Sequence, residues 1–213
     1  MDIQNILWKL DGALFDTYPA ITYAFSKALK EFGCSVPLNV IDGFVRQSLD
    51  HCLATLSQRF KLDPDLLRLR FTESYLTIPL ANQPPFPGVN EVCSLIYQRG
   101  GQNVAVTHRS VETTQRLLDY HNLAYLFLGI LSIEQGYPYK PDPSSFENAF
   151  QQYNIEGAKT LVIGNRDLDI RAGHKERIYT CLFRCEQYSL QADIQITHYS
   201  QLLDLLKKTN IET

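Results

Sequence analysis

The chain has 213 residues, a length that suits one sizeable core carrying an inserted smaller module. Its formal charge of −3, scattered without long single-sign runs, argues against a non-specific nucleic-acid binder, which needs a basic surface. The five cysteines (Cys34, Cys52, Cys93, Cys181 and Cys185) are odd in number and form no C-x-x-C pair, so a disulfide framework or a zinc site is not expected and a reducing cytoplasm is.

Met1-Asp2-Ile3-Gln4-Asn5 lacks the basic start and long apolar stretch of a secretory leader, so none is expected, and no apolar run approaches the roughly 20 residues of a membrane span. Ile3 to Leu10 is apolar and reads as a buried strand running into a tight turn at Gly12. From Pro19 to Phe32 the spacing turns helical, with Ile21, Ala24, Phe25, Ala28, Leu29 and Phe32 on one face and Gly33 as a stop. Further helical stripes follow between Leu38 and Ile78: Leu49, Leu53 and Leu56, then Leu67, Phe71 and Tyr75 on a helix that Asp63-Pro64 can start. No strand-like alternation interrupts residues 17–80, which therefore read as a helical module.

The breaker cluster from Ala81 to Gly88 is a linker. Beyond it short apolar strands alternate with helices. Helices are expected at Val89–Gln98, Val111–His121, Leu168–His174 and Leu202–Lys208, with another opening at Asp142-Pro143-Ser144-Ser145, where Ser144 and Glu147 have capping-box spacing. Strands are expected at Asn103–Thr107, Tyr125–Leu131, Thr160–Gly164 and Ile178–Phe183. Cys181 and Cys185 flank the end of the last of these and read as reduced thiols. This alternation implies a parallel sheet covered on both faces. Ligands in such sheets bind beyond the carboxyl ends of the strands. The polar residues there are Lys9 and Asp11, Thr107 and His108, the loop around Lys140, and Asn165 through Asp169.

These four clusters resemble, in order and spacing, the four motifs of the haloacid dehalogenase (HAD)-like phosphatases. Lys9-Leu10-Asp11-Gly12-Ala13-Leu14-Phe15-Asp16-Thr17 is similar to D-x-D-G-T-L-x-D-S/T; Thr107 ends its strand as the family's phosphate-binding hydroxyl does; Lys140-Pro141-Asp142-Pro143 is similar to K-P-x-P; and Gly164-Asn165-Arg166-Asp167-Leu168-Asp169-Ile170-Arg171-Ala172-Gly173 is similar to G-D-S-x-x-D-I-x-A-G. Pro85-Phe86-Pro87-Gly88-Val89, with the helical stretch before it, resembles the phosphoglycolate phosphatase and β-phosphoglucomutase subfamily. The resemblance implies an α/β fold: a HAD-like Rossmannoid three-layer core with a parallel sheet, at residues 1–16 and 83–213, and an inserted α-helical cap at 17–82. It also implies a small phosphorylated or anionic molecule as ligand, without nucleic acid or membrane. Arg46, in Gly43-Phe44-Val45-Arg46, resembles the cap residue that meets the far end of a substrate, although it reads more simply as a plain surface helix residue.

Two positions depart from the pattern. Lys9 stands where the family's nucleophilic aspartate attacks phosphorus, and Asn165 stands where an aspartate holds Mg²⁺. Asp11 matches the family's acid/base residue and Asp169 a surviving metal-site carboxylate, while Asp167 reads as a helix N-terminal charge. Thr107, His108, Lys140 and Lys9 remain as phosphate-binding candidates; Thr107 has a strand-end role as its alternative, and His108 reads more simply as a half-exposed loop histidine.

The family site carries four carboxylates, one lysine and a divalent cation, −4 + 1 + 2 = −1. This one carries Asp11 and Asp169 against Lys9 and Lys140, −2 + 2 = 0. The ammonium of Lys9 thus stands in for the missing cation, and no cofactor is expected unless residual Mg²⁺ binding survives. Three functional readings follow: a pseudo-enzyme that keeps an anion site; an active hydrolase of altered mechanism; and Schiff-base chemistry on Lys9, whose amine a neighbouring Lys140 would help to deprotonate.

Overall fold

The computed structural model describes residues 1–138, 140–184 and 192–208, so Cys185 lies outside the described residues. They divide into two compact units, Met1–Phe15 with Pro85–Thr213, and Asp16–Pro84.

The first unit is built on six parallel strands: β1 (Asn5–Lys9), β2 (Asn103–Thr107), β3 (Phe127–Ser132), β4 (Thr160–Gly164), β5 (Tyr179–Phe183) and β6 (Ile194–Ile196). Their order in the sheet is β3-β2-β1-β4-β5-β6. Strands β1, β2 and β4 are buried on both faces, which is why they read as apolar runs instead of alternating ones. Period two sends Leu7 to one face, where it packs with Val104, Val106, Leu131, Phe146, Ala149 and Val162. Trp8 points the other way, packs against Tyr199 with the rings tilted (centroids 5.6 Å apart) and donates its indole N–H to Asn103 Oδ1 at 2.9 Å. Asn103 in turn donates to the Cys93 and Leu126 carbonyls, so this buried amide is satisfied.

The second unit is all helical: α1 (Tyr18–Glu31), α2 (Leu38–Gln47), α3 (Leu49–Phe60) and α4 (Pro64–Leu76). The expected stripes close a separate core in which Phe25 and Phe71 stack at 4.2 Å, except that Leu49, at the very start of α3, is exposed. Asp63 caps α4 by accepting from the N–H groups of Asp65 and Leu66 (2.9 and 3.0 Å), with Pro64 at the first helical position.

The first unit continues with α5 (Val89–Gln98), α6 (Val111–Tyr120), α7 (Ser144–Tyr153), α8 (Asp167–Lys175) and α9 (Tyr199–Lys208). Three readings need correction. The expected capping box on α7 does not form: Ser144 is already helical, and its hydroxyl and N–H both donate to Asp142, which makes the turn. The strand read as Tyr125–Leu131 starts two residues later, because Ala124–Leu126 is a short 3₁₀ turn. Finally, β6 was not anticipated; its three residues are too few to show a period. Among the described residues no helix is long and apolar enough to cross a membrane.

Candidate functional site

The strand order reverses at β1, which lies between β2 and β4, and doubly wound sheets bind ligands in the crevice beyond such a switch point. Lys9 is the last residue of β1, and register places it beside Gly164 at the end of β4. Gly164 makes room: a Cβ there would sit 2.3 Å from the Asp169 Cβ. The first turn of α8 can therefore fold tightly against the strand tip. Asp169 reaches back to accept from the Arg166 N–H at 3.2 Å.

Asp169 is the centre of the site. Its Oδ2 accepts from Lys9 Nζ at 3.0 Å and its Oδ1 from Lys140 Nζ at 2.9 Å. Only 3% of its side chain is exposed. Lys140 also lies over the Phe146 ring, 4.9 Å from the centroid, and its peptide bond to Pro141 is cis. Burial alone would raise the Asp169 carboxyl, but Lys140 and Lys9 outweigh it and hold the group well below the usual carboxylate range. Burial lowers both lysines; Asp169 opposes that, and each ammonium pushes against another positive charge nearby. One carboxylate thus serves two ammonium groups.

Asp11 has a partner that sequence reading missed. Arg109 donates through Nε to both its oxygens (2.8 and 3.0 Å), and Nη2 lies 2.7 Å from Oδ1. Sequence reading stopped at Thr107 and His108. The available signal was a cation two residues past β2, next to β1 in a parallel sheet whose loops emerge at the same end. With Arg109, and with Arg166 acting on both lysines from the start of α8, the count changes from two cations to four: −2 + 4 = +2.

Thr107 is buried and its hydroxyl accepts from the Arg109 N–H at 3.1 Å, the loop role considered for it above; its own hydrogen can still be donated. His108 is lowered to about 4 by burial of its ring and then by the ammonium groups of Lys140 and Lys9. The residue stays exposed by surface area, so the repulsion from the two lysines is the firmer cause. A small open cleft runs between Thr107, His108, Ser132, Tyr137 and Lys140.

The glycine turn after β1 is internally bonded. Gly12, at φ +76°, donates to the Phe15 carbonyl, Leu14 to those of Lys9 and Leu10, and Phe15 to that of Leu10. These N–H groups are therefore engaged within the loop. Asp167 is exposed in the first turn of α8, which suits a helix N-terminal charge. Arg46 belongs to the other unit, where it pairs with Asp42 at 2.6 Å and covers the Tyr18 ring at 5.1 Å.

Magnesium asks for about six oxygen ligands at roughly 2.0–2.1 Å. Here both oxygens of Asp169 accept from ammonium groups, and a dication would face two positive neighbours at short range. Among the described residues no group of three or more His, Cys, Asp or Glu side chains could hold a metal ion. The residues do not fit a magnesium ion.

Residues 6–183 match the family model described as haloacid dehalogenase-like hydrolase. The phosphoglycolate phosphatase of Aquifex aeolicus (strain VF5) is 28% identical over 210 residues, covering 96% of each chain. The pyrophosphatase PpaX of Halalkalibacterium halodurans is 26% identical over 206 residues, covering 91% of each. In fold, a haloacid dehalogenase-like family hydrolase from Streptococcus pneumoniae superposes with a TM-score of 0.79 at 20% identity, covering 96% of this chain and 98% of that one.

Proposed function

The chain belongs to the haloacid dehalogenase-like hydrolases, and we propose that it is a catalytically impaired pseudo-phosphatase, one that keeps an anion-binding charge pattern and has lost the aspartyl-phosphate reaction. The observation that carries this reading is the clasp of Asp169 by Lys9 and Lys140. An ammonium at position 9 cannot become an aspartyl-phosphate, and it occupies the neighbourhood of the carboxylate that a divalent cation would need. Phosphoryl transfer depends on positioning and on neutralising the phosphoryl oxygens. This site retains the neutralising charge without the nucleophile.

The ligand class that fits is a small phosphorylated or anionic molecule, in keeping with relatives named as phosphoglycolate phosphatase and pyrophosphatase. It would be held by Lys9, Lys140 and Thr107, with His108 at the rim. The helical unit, taken as a cap, would select the ligand through residues such as Arg46.

A second reading has one observation in its favour. Lys9 is buried and its pKa is lowered, so its amine loses a proton more readily than a surface lysine does and could add to a carbonyl. Trapping with borohydride and a panel of small aldehydes and ketones tests it, a mass increase on Lys9 being the signature.

The main reading is tested with a broad panel of phosphomonoesters in Mg²⁺ and in EDTA. No turnover above buffer is expected in either, while inorganic phosphate binds by calorimetry equally well in both. Mg²⁺-dependent turnover abolished by Asp11→Asn would establish an active hydrolase instead.

A further inference from the structure

Arg109 is held in place by its own backbone before its side chain does anything. Its N–H donates to Thr107 Oγ1 at 3.1 Å and its carbonyl accepts from Ser132 Oγ at 2.6 Å, so the loop after β2 is pinned on both sides. Ser110 then caps α6 by accepting from the Thr113 N–H at 3.2 Å. From this fixed point the guanidinium spans Asp11, with Nε on both oxygens and Nη2 on Oδ1, and only 13% of the Arg109 side chain is exposed. A planar fork bound to a carboxylate in this way is the most directional ion pair available to side chains.

A general acid must present a proton to the leaving oxygen and later take one from water. Here each oxygen of Asp11 already accepts from Arg109, and the fork also fixes the plane of the carboxyl group. We infer that Arg109 is a third silencing residue of this site, a positioning residue that withholds Asp11 from acid/base work independently of what Lys9 and Asn165 have removed. The inference rests on the pseudo-phosphatase reading for its meaning, but the contact itself stands apart from that reading. It also changes what restoration requires. Returning aspartates at positions 9 and 165 supplies a nucleophile and a metal ligand while leaving Asp11 tied to Arg109.

Two measurements on the full-length chain test this. Carbodiimide-driven coupling of glycine ethyl ester, mapped by mass spectrometry, reads the availability of each carboxyl group. In Arg109→Gln, labelling of Asp11 should rise at least about tenfold over wild type, while exposed Asp65 labels at the same rate in both. Arg109→Lys, which keeps the charge and loses the fork, should give at least about a threefold rise, and it serves if the glutamine variant fails to fold. The second measurement compares the Lys9→Asp, Asn165→Asp double variant with the same protein carrying Arg109→Gln, using p-nitrophenyl phosphate and Mg²⁺. The triple variant should turn over at least about tenfold faster, the double showing a burst followed by slow release of phosphate. Unchanged labelling of Asp11, or a triple variant no faster than the double, overturns the inference. Turnover by the wild-type chain would instead overturn the pseudo-phosphatase reading, and the labelling result would still decide the role of Arg109.

Discussion

Replacing Asp169 with asparagine removes one negative charge and leaves two buried ammonium groups facing an amide. The two N–O separations are 3.0 and 2.9 Å. At an effective dielectric constant of about 20 each contact is worth about 5 kcal/mol of gross Coulomb attraction. Desolvation of three ions takes back much of that sum, and removing one partner from a buried pair costs about 3–5 kcal/mol net. The lysines have an escape, because burial already lowers both of them and they can release protons. The expected loss therefore sits near the lower figure, about 3 kcal/mol, or a fall in Tm of about 6–12 °C for a chain of this size. Thermal and urea unfolding at pH 7 measure it.

The sign of the pH dependence is fixed as well. Wild-type stability already rises with pH toward the unfolded lysine value of about 10.4, because both lysines are lowered in the folded chain; without Asp169 to raise them they fall further, so the variant rises more steeply and its deficit narrows as pH increases. Replacing the whole triad by Lys9→Met, Lys140→Met and Asp169→Leu should recover most of the loss. An Asp169→Asn variant within about 1 kcal/mol of wild type would refute the reasoning, since it would mean that the carboxylate does not hold the two ammonium groups in the folded state.

Three further outcomes are expected. His108 falls to about 4 when folded, against about 6.5 unfolded, so the unfolded chain binds the extra proton between those values. Its contribution is fully present above pH 6.5 and is lost as pH drops toward 4, so His108→Gln should gain on wild type in unfolding assays over that range. Gly164→Ala should cost about 3 kcal/mol or more and displace Asp169 from Lys9, because the new methyl would need the space 2.3 Å from the Asp169 Cβ; a crystal structure with the ion pair intact would contradict this. Asp63→Ala removes the acceptor for two N–H groups at the start of α4 and should lower stability by about 1 kcal/mol in urea titration, with no effect on phosphate binding.

Local physics made much of this chain legible from its residues. Val89–Gln98, Asn103–Thr107 and Thr160–Gly164 have the bounds read from periodicity, because a buried strand or an amphipathic helix writes its period into consecutive residues. The four clusters at the strand tips were equally readable, since a parallel sheet places such loops at one end. The capping of α7 was misread because Asp142 and Ser144 both offer a side chain to the same turn, and only the backbone conformation decides between them. The partners of the charged groups were not legible. Lys9 and Asp169 are 160 positions apart, Asp11 and Arg109 are 98 apart, and no periodic signal spans such separations. Which cation meets which carboxylate depends on strand order, on the space left by Gly164 and on the pinned loop that aims Arg109. The sequence by itself determined the fold and the lysine at the tip of its first strand. Only the tertiary structure decided that both remaining carboxylates are already occupied by cations from distant parts of the chain.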